Sequence, residues 1–132
     1  MPLEDPIEEA EGGSRDNAAI LVCDDDPAVL EFVCEALEAT GYRVLPASNG
    51  QMAISLLRNN KTIRLLLADY TMPEMNGAVV ARKVQAAHPS LPILLMTGNA
   101  DIEAIQAELP EINLLRKPFD RHVLAERVSA ML

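Results

Sequence analysis

Asp24, Asp25, Asp69, Thr97 and Lys117 are the residues of this chain whose types and positions could do chemistry together. Each follows a short aliphatic run: Ala19 to Cys23 before the aspartate pair, Ile63 to Ala68 before Asp69, Leu91 to Met96 before Thr97, and Ile112 to Leu115 shortly before Lys117. If those runs are neighbouring parallel strands, their ends share the sheet edge at which open α/β proteins place their sites. Three carboxylates, one ammonium and one hydroxyl then converge. Like charges at close range repel, so such a cluster costs stability unless a cation resolves it. Mg²⁺ prefers about six oxygens at roughly 2.1 Å and keeps several waters, so two or three carboxylates with a backbone carbonyl leave positions for a phosphoryl oxygen. Lys117 can act as a point charge on a second phosphoryl oxygen, and the Thr97 hydroxyl can hydrogen-bond a third.

That convergence requires elements that bring distant strand ends together, and the chain reads as a supply of them. From Ala18 onward short aliphatic runs alternate with stretches of helical period, the pattern of βαβ units around a parallel sheet. The run Ala19 to Cys23 is continuous rather than alternating, as a strand covered on both faces should be. It stops at Asp24-Asp25-Asp26-Pro27, where Asp26 is placed to cap a helix with proline at its first position. Val29, Val33 and Leu37 continue at helical spacing until Gly41 ends that helix. A second strand, Tyr42 to Ala47, contains Pro46, which cannot donate to a ladder and so predicts an edge strand. Asn49 can cap a helix over Met52, Leu56 and Leu57; later helices carry Val80, Val84 and Ala87, then Ile102, Ile105 and Leu109, then Leu124, Val128 and Met131. Five βα units account for residues 18–132 with no internal repeat.

Composition bounds what else is possible. The 132 residues suit one domain with one core. With two Phe, two Tyr and no Trp, that core must be aliphatic, and a large aromatic ligand platform is not available. The formal net charge is −9, and residues 1–17 hold six acids (Glu4, Asp5, Glu8, Glu9, Glu11, Asp16) against Arg15. With its two prolines and a Gly-Gly pair, this segment reads as an acidic disordered tail or linker. No basic stripe along the sequence would displace counterions from phosphates, which argues against nucleic-acid binding. Cys23 and Cys34 fall in apolar patterns and read as small buried hydrophobes. No segment has the length of a membrane span and the acidic N-terminus has no signal-peptide pattern, so a cytoplasmic protein is expected.

Four motifs make the set recognisable. Ile20 to Pro27, the segment Asp69-Tyr70-Thr71-Met72-Pro73-Glu74-Met75-Asn76-Gly77, the Thr97-Gly98 step and Lys117-Pro118-Phe119 together closely resemble the receiver domains of bacterial response regulators, over residues 18–132. The resemblance implies an α/β, doubly wound three-layer sandwich: a five-stranded parallel sheet of order 2-1-3-4-5 with five helices, the flavodoxin-like order for which the same family supplies a standard example. It also implies roles. Asp69 would take a phosphoryl group from a histidine kinase or histidine phosphotransfer protein, and Mg²⁺ would be held by Asp25 directly, by Asp24 mainly through water, by Asp69, and by the backbone carbonyl of Thr71. Thr97 would sense the phosphoryl group, Lys117 would pair with it, and the Lys117-Pro118 bond would be cis.

Three positions depart from the commonest pattern of such domains: Leu114 where an aromatic residue is frequent, Gly98 where a small Ala or Ser is usual, and Glu111-Ile112 where Gly-Ala is common. Leu114 therefore predicts output through a repacking with Ile102 and Ile105 that a downstream partner, or a second copy in a homodimer, could read. Taken singly, each motif residue has a plainer reading: Asp26 as a cap, Asn76-Gly77 as a turn, Thr97 as a strand-end hydroxyl, Lys117 as a solvated lysine, Met72 and Met75 as packing, His88 and His122 as surface residues. A phosphatase would want a second acid two residues after Asp69, where Thr71 stands. A nucleotide or flavin protein would want a Gly-rich loop where Asp24-Asp25-Asp26 stands. A degenerate receiver used only for docking is the alternative of another class, and the complete acidic set argues against it.

Overall fold

The computed structural model describes residues 18–132; the segment 1–17 lies outside the described residues. Among the described residues five strands and five helices alternate: β1 (Ala19–Cys23), α1 (Pro27–Glu38), β2 (Arg43–Ala47), α2 (Gly50–Asn59), β3 (Ile63–Asp69), α3 (Gly77–Ala87), β4 (Ile93–Thr97), α4 (Ile102–Glu108), β5 (Asn113–Arg116) and α5 (Arg121–Met131), with a 3₁₀ turn at Asn99–Asp101 before α4. All four strand pairings are parallel and the order is β2-β1-β3-β4-β5, as the resemblance implied.

The strands are aliphatic on both sides because helices cover both faces. Ile20 and Val22 of β1, Leu65 and Leu67 of β3, and Leu94 and Met96 of β4 face α1 and α5, where Val33, Leu37, Leu124 and Val128 are buried against them. Their neighbours in sequence, Leu21, Leu66, Ala68 and Leu95, face α2, α3 and α4 through Leu57, Val80, Val84 and Ile105. Each fully buried Leu or Ile side chain contributes roughly 1.5–3 kcal/mol, so the two layers hold the sheet from either side. Strand β2 is the edge that Pro46 required, pairing Pro46 with Val22.

Side-chain caps start α1 and α2 where the sequence places them. Asp26 Oδ1 accepts from the Ala28 amide at 2.9 Å and Asn49 Oδ1 from the Met52 amide at 2.8 Å. Helix α1 ends at Glu38 rather than running to Gly41; the chain turns through Thr40 and Gly41, and a φ of 99° explains the glycine. Other boundaries shift by one or two residues: β2 begins at Arg43, β4 runs from Ile93 to Thr97, β5 from Asn113 to Arg116, and β3 includes Asp69. Ladder hydrogen bonds decide these limits, whereas the apolar runs record burial, and Leu91 and Ile112 are half-buried outside the ladder. Among the described residues no helix is long and apolar enough to cross a membrane.

Candidate functional site

Parallel pairing brings the carboxyl ends of β1, β3, β4 and β5 to one edge, and the sheet register sets their depth: Cys23 lies opposite Ala68, Asp69 opposite Met96, and Thr97 opposite Arg116. Asp24 follows β1 immediately and Asp69 closes β3, so both carboxylates sit just above the core. Asp24 is 1% exposed and Asp69 5%, while Asp25, one residue further along the loop, is exposed. One carboxylate oxygen from each of Asp24, Asp25 and Asp69 lies within 4.8 Å of the others, a spacing that can hold a metal ion.

Lys117 enters this cluster from the end of β5. Its Nζ donates to Asp69 Oδ1 at 2.6 Å and lies 4.0 Å from Asp24 Oδ2. The Lys117 amide bonds the Thr97 carbonyl at 2.8 Å, which fixes the approach of the side chain, and the Lys117-Pro118 bond is cis. Asp24 uses its oxygens unequally. Oδ1 accepts from the Asp26 amide at 2.9 Å and so tightens the turn after β1, whereas Oδ2 is buried with no hydrogen-bond partner. A buried carboxylate oxygen without a donor costs about 1–3 kcal/mol or more, and a cation among the three acids supplies what it lacks. The donor set, all carboxylate oxygen, fits Mg²⁺.

Burial pushes the carboxyls of Asp24 and Asp69 above the ordinary carboxylate range, since each is being taken out of water as a charge. For Asp69 the hydrogen bond and charge of Lys117 pull downward and Asp25 pushes further up; for Asp24 the Asp26 amide pulls downward and Asp69 pushes up. Cys23, directly beneath, is pushed up to about 12 by burial and by Asp24, Asp69 and Asp25. It remains a protonated thiol whose Sγ lies 3.6 Å from Met72 Sδ, and Cys34 is likewise free, so both cysteines are packing residues as expected.

Asp24, Asp25, Asp69 and Lys117 are thus brought together. Two other candidates, the buried Thr97 and the exposed Thr71, have their hydroxyls engaged elsewhere: Thr97 Oγ1 donates to the Gly98 carbonyl at 3.1 Å, and Thr71 Oγ1 to Asp101 Oδ2 at 3.5 Å. Gly77 has a role that reading Asn76-Gly77 as a turn missed. Its amide donates to the Tyr70 carbonyl at 2.8 Å, and a Cβ there would meet the Asp69 carbonyl oxygen at 2.6 Å and Tyr70 Cα at 2.8 Å. Only glycine lets the start of α3 pass so close behind Asp69. Asn76 caps α3 through the Val79 amide at 3.0 Å, and Asp120 caps α5 through the Val123 amide at 2.8 Å. The second was legible as an aspartate directly before a helical stretch. Next to Lys117, the half-exposed rings of Phe32 and Phe119, 6.4 Å apart, and Val29 line an apolar hollow of about 240 Å³ that no sequence motif announced.

The chain belongs to the response regulator receiver domain family, whose model matches residues 20–129. It is a receiver domain of two-component systems, of the kind that binds Mg²⁺ at an acidic cluster, and Asp24, Asp25 and Asp69 form such a cluster, fitting the phosphorylation site. Response regulator receiver protein CpdR of Brucella abortus is 35% identical over 115 residues, covering 86% of this chain and 95% of the relative. Transcriptional regulatory protein GlrR of Escherichia coli is 29% identical over 121 residues, 90% of this chain. The chain spans only 27% of that regulator's length. A crystal structure of a response regulator receiver domain protein from Clostridium thermocellum superposes with a TM-score of 0.73 at 26% identity, covering 87% of this chain and 99% of the other.

Proposed function

We propose that this receiver is a phosphorylation switch in which Asp69 accepts a phosphoryl group from a histidine kinase or a histidine phosphotransfer protein. The observation that carries the proposal is the crowded cluster itself: three carboxylates within 4.8 Å, an unpartnered Asp24 Oδ2 and Lys117 already on Asp69. Lys117 holds Asp69 Oδ1, which leaves Oδ2 as the nucleophile. Its attack on the phosphorus of a phosphohistidine forms the new O–P bond as the P–N bond breaks, and the imidazole leaves with the electron pair and takes up a proton. Asp25, Asp69, the Thr71 backbone carbonyl and, through water, Asp24 would hold Mg²⁺, which when bound neutralises charge on the phosphoryl oxygens. Lys117 would then transfer its charge from the carboxylate to a phosphoryl oxygen, and the Thr97 hydroxyl would leave the Gly98 carbonyl for another.

Two surfaces support the partner side of this reading. The apolar hollow of Val29, Phe32 and Phe119 adjoins Lys117, so a donor seated there stands beside the acceptor. Leu114, opposite Leu95, packs at the margin of the layer that contains Ile105, while Ile102 is half-buried outside it. Output to a downstream partner or a homodimer would use this second face.

The test is incubation with Mg²⁺ and a small acyl phosphate followed by intact mass. The wild-type chain should gain one hydroxylamine-labile phosphoryl group and Asp69→Asn should gain none. Equal labelling of the two refutes the assignment, and no labelling of either would leave the domain as a docking module.

A further inference from the structure

We propose that the acidic segment around Leu3 to Glu11 of this chain docks on a basic groove at the amino-terminal edge of the sheet, between the ends of α2 and α3. The fold sorts charge in a way that the sequence order conceals. Residues 24–38 hold six acids and no base, whereas residues 39–68 hold Arg43, Arg58, Lys61 and Arg64 and no acid, and residues 77–100 hold Arg82 and Lys83 and no acid. Arg58 near the end of α2, Lys61 and Arg64 at the start of β3, and Lys83 on α3 are all exposed. Among the described residues none of these four forms an ion pair, while Arg82 is bonded to Glu108 at 2.5 Å.

Beneath this positive rim lies an apolar floor. A groove of about 280 Å³ is lined by Ile54, Leu57, Val84 and Ala87 with Arg58 and Lys83 at its sides. It adjoins a second hollow of about 350 Å³ that includes Ile63 and Arg64, the two sharing His88. The occupant has to combine several carboxylates with a few aliphatic side chains. Glu4, Asp5, Glu8, Glu9 and Glu11, with Leu3 and Ile7 four residues apart among them, have that chemistry.

Connectivity delivers the segment to the same edge. The Ala19 amide bonds the Thr62 carbonyl at 3.1 Å and Ala19 pairs with Ile63, so the chain enters the fold beside Lys61 and Arg64. The nine steps from Glu9 to Ala18 span up to about 30 Å extended, enough to reach either hollow. A segment of the same chain also acts at high effective concentration, so weak charge pairs suffice. The acceptor lies at the opposite edge of the sheet, and the proposal holds whether or not Asp69 is phosphorylated.

The experiment is amide spectroscopy on the full chain. Raising salt from about 0.01 M, with a screening length of about 30 Å, to about 1 M, with about 3 Å, should shift the amides of Leu57, Arg58, Lys83 and His88 and leave those of α1 in place. The fivefold variant E4Q/D5N/E8Q/E9Q/E11Q should lose most of that salt response, and so should R58E/K83E, with E8K/E9K restoring it in the latter. The fivefold variant changes no residue of the described fold, so groove amides that respond to salt in it as in wild type overturn the proposal. Groove shifts that follow protein concentration rather than the charge of this segment do so as well, and assign the groove to a second copy.

Discussion

Asp24→Asn should raise the melting temperature of the metal-free protein, although it removes a residue from the functional cluster. Asparagine keeps an Oδ1 to accept the Asp26 amide at 2.9 Å, and it replaces the buried Oδ2, which has no hydrogen-bond donor and lies 4.0 Å from Lys117 Nζ, with a neutral NH₂ group. The substitution therefore removes a desolvated charge while preserving the turn. Releasing one unsatisfied buried group is worth about 1–2 kcal/mol. For a domain of this size that corresponds to roughly 4–8 °C. Magnesium should reverse the order. Binding to the native state alone adds about 1.4 kcal/mol to the wild type at tenfold over Kd, and the variant, lacking one acid, should gain much less. Calorimetric or fluorescence melts of both proteins, with and without Mg²⁺, read both effects at once. Lower melting of Asp24→Asn without metal, or equal stabilisation of both by Mg²⁺, would refute the account of the cluster.

Stability without metal should also depend on pH in a definite sense. The folded-state carboxyls of Asp24 and Asp69 are raised above their unfolded values, so the native state holds more protons; stability falls as pH rises from about 4 through their raised range, and Asp24→Asn flattens that slope in urea titrations. Gly77→Ala, whose Cβ would meet the Asp69 carbonyl oxygen at 2.6 Å, should cost about 1–3 kcal/mol in chemical denaturation and lower the phosphorylation yield. Gly98→Ala should do the opposite, since a Cβ there meets nothing within 4 Å and φ is not positive; a gain of about 0.4–1 kcal/mol is expected from the stiffer unfolded chain. Leu114→Glu should abolish any beryllofluoride-dependent association seen by sedimentation while leaving phosphorylation intact, and identical sedimentation of the two proteins would place output elsewhere.

The parts of this fold that were legible in sequence are those decided by local chemistry or by burial on two faces. Ile20 to Cys23 had to be a covered strand, Pro46 had to be at an edge, and Asp26-Pro27 had to open a helix, because each excludes the alternatives by itself. The convergence of Asp24, Asp25, Asp69 and Lys117 was legible because strand ends of a parallel sheet share an edge. What was not legible depends on distance between segments remote in sequence. The need for glycine at position 77 comes from the backbone of Asp69 and Tyr70 lying behind it, and the Phe32 and Phe119 pair joins residues 87 positions apart. The basic edge is of the same kind: Arg58, Arg64 and Lys83 are scattered in sequence and become neighbours only when the ends of α2 and α3 meet the start of β3.

On the proposed reading, the resting geometry would divide capture of a phosphoryl group from its readout. Lys117 is already on Asp69, so the charges that would receive the group are preorganised and need little rearrangement. The Thr97 hydroxyl is not: it is bonded to the Gly98 carbonyl, at the junction between β4 and the turn that leads into α4. Drawing that hydroxyl to a phosphoryl oxygen breaks a bond worth about 1 kcal/mol, and Gly98 adds no side chain to oppose the movement. The displaced segment carries Asp101, which Thr71 bonds across the site, and leads to Ile105, which is fully buried in the layer against which Leu114 packs. On the proposed reading, a change begun at Thr97 would reach solvent on the face of α4 and β5, away from Val29 and Phe32 of α1, so a donor at the hollow and a partner at Leu114 would use different surfaces.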